Sequence, residues 1–315
     1  MSRSSLFQAM GLLLLAAVSW GGMFQVAKPL LVQIDAFYMT AIRYGGAALI
    51  FAVLLAYREG HAAFRMEGVT GLLWLYGSLG FAGFNLLAFT GLSHSRPEHA
   101  AVIMALMPLM TALVNWGMRG IRPASHTLLA IALALTGVAL VVTDGHFSSL
   151  TVSSQLGGDL MLLLGALSWV FYTLGAARFS SWSPLRYTTL TCLLGVSSIF
   201  AVTAAMTLLG SIHLPAATTV WTRMWELAYM VVIGAVIAVL SWNAGIRKLG
   251  ALNGVLFINF VPVSAFVIGV ILGHHFGMAE LGGATLVILA LVFNSLLSQR
   301  AQLRAGGGMT AVRQG

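Results

Sequence analysis

The chain has 315 residues, 59% of them hydrophobic and only 8% charged, with a mean hydropathy of +0.94. Soluble domains carry about 25% charged residues, so this composition excludes an ordinary soluble protein. The net charge of +8 does not point to nucleic acid, because the lysines and arginines stand singly or in pairs at the ends of apolar runs rather than in a stripe.

Ten apolar runs follow one another, at approximately 6–27, 34–57, 69–92, 98–118, 124–143, 157–178, 184–209, 224–246, 252–273 and 279–299. Each is close to the ~20 residues that cross a bilayer as a helix. Helix is the expected form, since lipid offers no partner to an unpaired backbone group. A membrane β-barrel would instead show short alternating segments. The first run follows Arg3, contains Trp20 and lacks a small-x-small cleavage site, so it reads as a retained span and not a signal peptide. With the N-terminus in the cytoplasm, twelve lysines and arginines fall on inner segments and three on outer ones (Lys28, Arg96 and Arg223), leaving Arg43 within a span. That positive-inside bias predicts a multi-pass protein of the bacterial inner membrane with both termini cytoplasmic. The long connection from Asp144 to Asp159 has the Ser, Thr and Gly of a loop. The tail with Gly306 to Gly308 reads as disordered.

The runs fall into two sets of five. Ser19-Trp20 returns as Ser168-Trp169, Gly91 as Gly245 and Pro108 as Pro262, the last two pairs 154 positions apart; Arg43-Tyr44 finds a candidate counterpart in Arg186-Tyr187. A unit with an odd number of spans inserts upside down the second time, which predicts an all-α integral membrane fold of ten transmembrane helices in two inverted five-helix repeats. The expected divisions are 1–145 for the first repeat, 146–158 for an outer linker, 159–300 for the second repeat and 301–315 for the tail. Pro108 and Pro262 lie near the middle of the fourth and ninth runs, where each removes a backbone donor and should kink its helix. Interrupted spans at matching places in two halves point to a transport site.

The candidate substrate-binding residues are Trp20, Gln25, Tyr76, Asn85, Met104, Trp169, Tyr172 and Asn259. They are aromatic or neutral-polar, a mixture that holds an apolar side chain and hydrogen-bonds a polar end; the plainer reading is glue between helices. Arg43, Pro108, Trp242 and Pro262 are the gating or hinge candidates. Arg43 is the one charge well inside a span; a structural or gating role is expected, with snorkelling to the surface as the alternative. Trp242, near the inner end of its run, reads either as an interfacial anchor or as a gate. The histidines at 94, 99, 274 and 275 gather at outer span ends without a zinc spacing and are expected to be solvated. Asp159 suits a helix N-terminus. The single Cys192 permits no intramolecular disulfide and reads as a packed hydrophobe.

Taken together, Ser19-Trp20, Arg43, the stretch Ala100 to Pro108, the stretch Asn253 to Pro262, and Gly277-Met-Ala-Glu280 before Gly282-Gly283 resemble the drug/metabolite transporter superfamily in its ten-helix EamA-type branch. Within it the chain looks most like the aromatic amino-acid exporters of the YddG type. The resemblance implies export of small metabolites by a monomer or loose oligomer. It also implies a family position for Glu280 before the last helix; the matching place in the first half holds Arg119. The expected partners are the lipid bilayer and a small substrate, a neutral amino acid with an aromatic or apolar side chain. The multidrug exporters of the same superfamily are the alternative. No cofactor or metal is expected. An intramembrane enzyme is disfavoured because Tyr76-Gly-Ser-Leu-Gly80 is not a Gly-x-Ser-x-Gly elbow, and a channel because no filter motif is visible. No Gly-x-x-x-x-Gly-Lys loop occurs, so ATP does not drive the protein directly. All eight acids lie at span ends or in loops, which predicts facilitated flux with at most weak proton coupling.

Overall fold

An apolar run leaves its backbone groups little to bond except one another, and the chain folds accordingly. The computed structural model describes residues 3–120, 122–143, 145, 154–250 and 254–311. Its helices are α1 (Arg3–Leu30), α2 (Ala36–Glu59), α3 (Thr70–Ser93), α4 (Pro97–Met104), α5 (Met107–Arg119), α6 (Ser125–Thr143), α7 (Ser154–Ala176), α8 (Pro184–Leu208), α9 (Met224–Leu249), α10 (Phe260–Ile271) and α11 (Met278–Ala311). Among the described residues, α1, α2, α3, α7, α8 and α9 are each long and apolar enough to cross a bilayer. The pair α4–α5 qualifies as one span bent by 42°, and Ser125–Val141, Phe257–Ile271 and Met278–Asn294 are shorter apolar segments. The helix α11 runs on through 301–311, where the sequence predicted a disordered tail. Of the expected linker, 154–158 open α7 and 146–153 lie outside the described residues.

Side-chain bonds define two ends of the bundle. At the near end, which carries the start of α1, Lys248 reaches Gln8, Ser183 reaches Glu59, and Thr127 reaches Asn294. At the far end Lys28, Gln25 and Tyr38 reach Ser95, Glu98 and Thr207.

The helices pack in corresponding pairs. Contact of α1 with α9 is matched by α3 with α7, and contact of α2 with α9 by α3 with α8. Contact of α1 with α10 is matched by α4 with α7, while α2 meets α8 and α6 meets α11. The last pair approaches through facing glycines: a Cβ on Gly137 would lie 2.6 Å from the Gly283 carbonyl oxygen, and one on Gly283 2.5 Å from that of Gly137. Only glycine permits this crossing, the small-residue packing that brings membrane helices together where no hydrophobic force separates them from lipid. One core fills the centre, and a smaller one, including Ala134 and Val287, joins α6 to α11.

Two helices depart from the regular pitch at matching places. The backbone widens to π geometry over Ser78–Gly83 in α3 and over Tyr229–Ile237 in α9. Advanced by 154 positions, the offset of Pro108 from Pro262, the first stretch falls within the second. A π turn leaves carbonyls free for other donors, and these carbonyls are used at the site described next.

Candidate functional site

The fourth run is broken at Ala105–Leu106, and Pro108 stands in the first turn of α5. The ninth run passes from a 3₁₀ stretch, Val255–Asn259, into α10, and Pro262 is the third residue of that helix. Both prolines were expected to mark kinks; each lies just past the irregular turn. The reason is steric, since a proline ring collides with the carbonyl four residues earlier, here that of Met104 or Ile258.

Those two residues face a small cavity of about 20 Å³ between the helices. Its lining is Trp20, Met23 and Phe24 of α1, Phe84 of α3, Met104, Met107 of α5, Trp169 of α7, Ile258 and Val261. Three pairs among these are counterparts in the repeat: Trp20 with Trp169, Met104 with Ile258, and Met107 with Val261. The two indoles meet edge to face, with centroids 5.7 Å apart at 84°. Trp242 packs on Trp20 at 5.3 Å, and Tyr172 on Trp169 at 4.9 Å. The volume suffices for about one water molecule, so the site is occluded.

Trp20 donates its Nε1–H to the Gly234 carbonyl, 3.1 Å away, in the π stretch of α9. Arg43 uses the same stretch. Its Nη2 donates to Gly234 at 2.7 Å, its Nε to Met230 at 3.1 Å and its Nη1 to Asn85 Oδ1 at 2.8 Å. The guanidinium also lies 4.8 Å from the Tyr44 ring and 5.4 Å from that of Phe89. Arg43 is 1% exposed and does not snorkel. It is a buried pin joining α2, α3 and α9, held by carbonyl oxygens of the widened stretch and by Asn85. Asn85 in turn donates to Phe81 of the other π stretch at 2.9 Å. The suggested counterpart Arg186 does not occupy an equivalent place: it opens α8 at the near end, bonded to Glu67 and to the Arg65 carbonyl.

The structure brings Trp20, Met104 and Trp169 together around the cavity, with Tyr172 and Trp242 behind them. Trp242 is fully buried, which removes the interfacial-anchor reading, and its Nε1–H has no partner. Asn85 is spent on Arg43. Gln25 is spent at the far end. Tyr76 sits toward the near end, edge-on to Phe179 at 6.4 Å. Asn259 is half-buried, outside the lining, with its Oδ1 unpartnered. Sequence reasoning missed Met107, Ile258 and Val261 as lining residues. The signal was present: they stand four or one residues before the paired prolines, where the carbonyl clash opens the backbone.

The two ends differ. Toward the near end a hollow of about 360 Å³ is lined by residues including Thr173, Phe179, Trp182, Tyr187, Asn243 and Arg247. An unbroken row of rings connects it to the cavity: Phe179 to Tyr187 at 5.4 Å, Tyr187 to Tyr172 at 5.3 Å, then Trp169 and Trp20. Asn243 closes the row by donating to Tyr172 Oη at 3.1 Å and Thr188 Oγ1 at 2.6 Å. The far end is sealed by ionisable groups. Glu98 accepts from Gln25 Nε2 at 2.9 Å and lies 3.4 Å from His274 Nδ1. Arg96 pairs with Glu280 at 2.5 Å and reaches Glu98 at 4.0 Å. Asp159 accepts from Ser95 and meets His99 Nδ1 at 3.3 Å. Lys28 donates to the carbonyls of Leu92, Ser93 and Ser95. Glu98, His99, Asp159 and Glu280 are all buried. His99 is therefore not solvated as expected, whereas His94, His274 and His275 are exposed. Glu98 and Glu280 stand in the first turns of α4 and α11, whereas Asp159, expected to open its helix, is the sixth residue of α7; all three are inside the bundle. A larger hollow, about 910 Å³, is an open apolar groove between α2 and α8 that suits lipid chains better than a polar solute.

The model of the EamA-like transporter family matches residues 8–143 and matches again over 156–296. The chain belongs to that family. Its relatives include the "Uncharacterized transporter YrdR" of Bacillus subtilis (strain 168), 35% identical over 304 residues and 95% of both chains. A second is "Uncharacterized transporter YyaM" of the same organism, 31% identical over 86% of this chain and 88% of the relative. A third is the "Uncharacterized inner membrane transporter YicL" of Salmonella typhimurium (strain LT2), 26% identical over 91% and 95%. A solved crystal structure at 20% identity superposes with a TM-score of 0.68 over 95% of this chain and 99% of that one, a likeness of fold. The family and these relatives are named transporters, and the chain is a multi-pass, all-helical member of the family.

Proposed function

We propose that this EamA-family protein is a secondary carrier that exports neutral amino acids with aromatic or other apolar side chains, or closely related small metabolites, by alternating access. The observation that carries the reading is the cavity lined by three counterpart pairs, Trp20 with Trp169, Met104 with Ile258 and Met107 with Val261. A site made from the same positions of two halves stays in place while the halves rock about it.

Ten spans in two inverted repeats accord with the double family match, the matched prolines and π stretches, and the paired helix contacts. On this reading the near end is cytoplasmic, in keeping with the charge bias, and the protein works as a monomer in the bacterial inner membrane. The indoles, Met104 and Tyr172 enclose the apolar side chain. The unspent Trp242 Nε1–H and Asn259 Oδ1 supply a donor and an acceptor for a zwitterion once the halves part. Gln25, Tyr76 and Asn85 act at a distance from the substrate, and Pro108 and Pro262 hold the bending turns. Among the described residues no carboxylate faces the cavity, which disfavours organic cations.

The test is saturable counterflow in proteoliposomes with phenylalanine, methionine, a quaternary ammonium dye and a sugar nucleotide. Counterflow of the two amino acids alone is expected. Movement of the dye alone overturns the amino-acid reading in favour of a multidrug exporter, and non-saturating conductance overturns the carrier reading itself.

A further inference from the structure

The far-end network has an unbalanced charge. Glu98, Asp159 and Glu280 are buried, yet Arg96 is the only permanent cation in side-chain contact with any of them among the described residues. Lys28 is occupied by three carbonyls at the end of α3. Buried carboxylates need paired or hydrogen-bonded counter-charges. The remaining groups able to supply charge there are His274, against Glu98, and His99, against Asp159. His274 is exposed, but His99 is 1% exposed and its Nε2 has no partner. His99 comes from α4 and Asp159 from α7, so the pair crosses between the two repeats. No group of three or more His, Cys, Asp or Glu suited to a metal ion occurs among the described residues.

We propose that the His99–Asp159 pair is a proton-binding site that locks the far end shut. With the proton bound, imidazolium and carboxylate form an ion pair holding α4 to α7. When the proton leaves to water, the ion pair falls back to a neutral imidazole hydrogen bond across 3.3 Å, beside a buried carboxylate that Ser95 also holds, and the far end is held less tightly. The groups around the pair are Arg96 and Glu98 on α4, Lys28 on α1, His94 at the end of α3, His274 beyond α10 and Glu280 on α11. The bound proton favours the closed form, so far-side labelling is slowest at low pH and quickens as pH rises. The two-state rocking invoked here rests on the carrier reading above. This site also replaces the expectation of facilitated flux with at most weak proton coupling, whose premise was that all eight acids lie at span ends or in loops.

The experiment is the rate at which a membrane-impermeant thiol reagent, added from the far side, labels M104C in the full-length protein in right-side-out vesicles. The same cysteine in H99Q and D159N backgrounds corrects for thiol ionisation, and the unsubstituted chain corrects for Cys192. A single linked proton changes the closed-to-open ratio by up to about tenfold per pH unit. M104C alone is therefore expected to label roughly tenfold more slowly than M104C/H99Q or M104C/D159N at pH 5.5, with all three converging at pH 8. Parallel profiles in all three overturn the proposal, and two variants guard against one that does not fold. The readout needs no substrate. If labelling follows the expected pattern while no amino acid exchanges, the substrate reading fails and the proton site stands.

Discussion

The far end of the bundle is built of buried charge and the near end of aromatic rings around a hollow. At the far end four elements, α1, α4, α7 and α11, are tied by Gln25, Arg96, Glu98, His99, Asp159 and Glu280. At the near end Trp182, Tyr187 and Asn243 stand around some 360 Å³, and a row of rings leads inward. On the carrier reading, the difference lets one sequence serve two states. Ionic and hydrogen-bonded contacts are directional and are lost within an ångström or two, so they make a latch. Stacked rings slide with little loss, so they make a passage. The near side is thus one seal away from the central cavity, and the far side is closed by a network that has to be taken apart.

The largest expected effect comes from breaking the far side. Arg96→Gln leaves Glu98 and Glu280 buried without their shared cation. Breaking a fully buried pair costs about 3–5 kcal/mol; Arg96 is partly solvated, so we expect about 2 kcal/mol, or some 30-fold in the closed-to-open ratio. Far-side labelling of a cysteine at Met104 should rise by that order. Unchanged labelling would mean that the seal lies elsewhere. Trp169→Ala comes next. It removes the edge-to-face contact with Trp20, worth about 1 kcal/mol beyond burial, and opens space in the cavity. Phenylalanine transport should weaken roughly tenfold more than threonine transport, and equal losses would show that the indole supports the fold rather than the substrate. Asn243→Ala addresses the near side. Two hydrogen bonds of about 1 kcal/mol each no longer hold Tyr172 and Thr188, so reagents added from the near side should reach the cavity faster while far-side access stays as it was. A change on both sides would show that the two ends are not independent.

How much of this was legible depended on which force placed each residue. The helical runs were legible because lipid enforces them, and so was the Trp20–Trp169 pair, because two copies of one unit carry it at the same depth. The prolines announced broken spans, although the break falls in the turn before each ring. The partners of Arg43 could not be read, because two of them are carbonyls in a π stretch of α9, and such a stretch leaves no mark in composition. The far-end acids were misjudged for a related reason. Their positions at the ends of the apolar runs suggested water, but the packing of α4 against α7 and the Arg96–Glu280 pair at the start of α11 bury them. Lining residues such as Ile258 and Val261 were hidden among dozens of similar aliphatics and stood out only through the repeat.

The smallest expected effect lies at the near end, outside the spans. Glu67, in the connection between α2 and α3, accepts from Arg186 Nη2 at 2.6 Å and from Trp182 Nε1 at 3.3 Å. The bond from Arg186 chiefly, and then that from Trp182, holds the Glu67 carboxyl below its ordinary range. A carboxyl lowered in the folded state adds stability that is fully present above its unfolded pKa and is lost as pH falls through the folded value. The Arg186 guanidinium also lies 4.0 Å from the Trp182 ring, on the rim of the near hollow, so the pair steadies that rim. Glu67 is half-exposed by side-chain area, however, and water and salt screen such a pair until little of its attraction remains. Glu67→Gln should therefore lower the Tm in detergent only slightly at pH 7. The gap to the parent should shrink toward zero between about pH 5 and pH 3, and moderate salt should shrink it as well. A gap of constant size down to pH 3 would show that the amide disturbs the connection by its shape and that the charge of Glu67 contributes nothing.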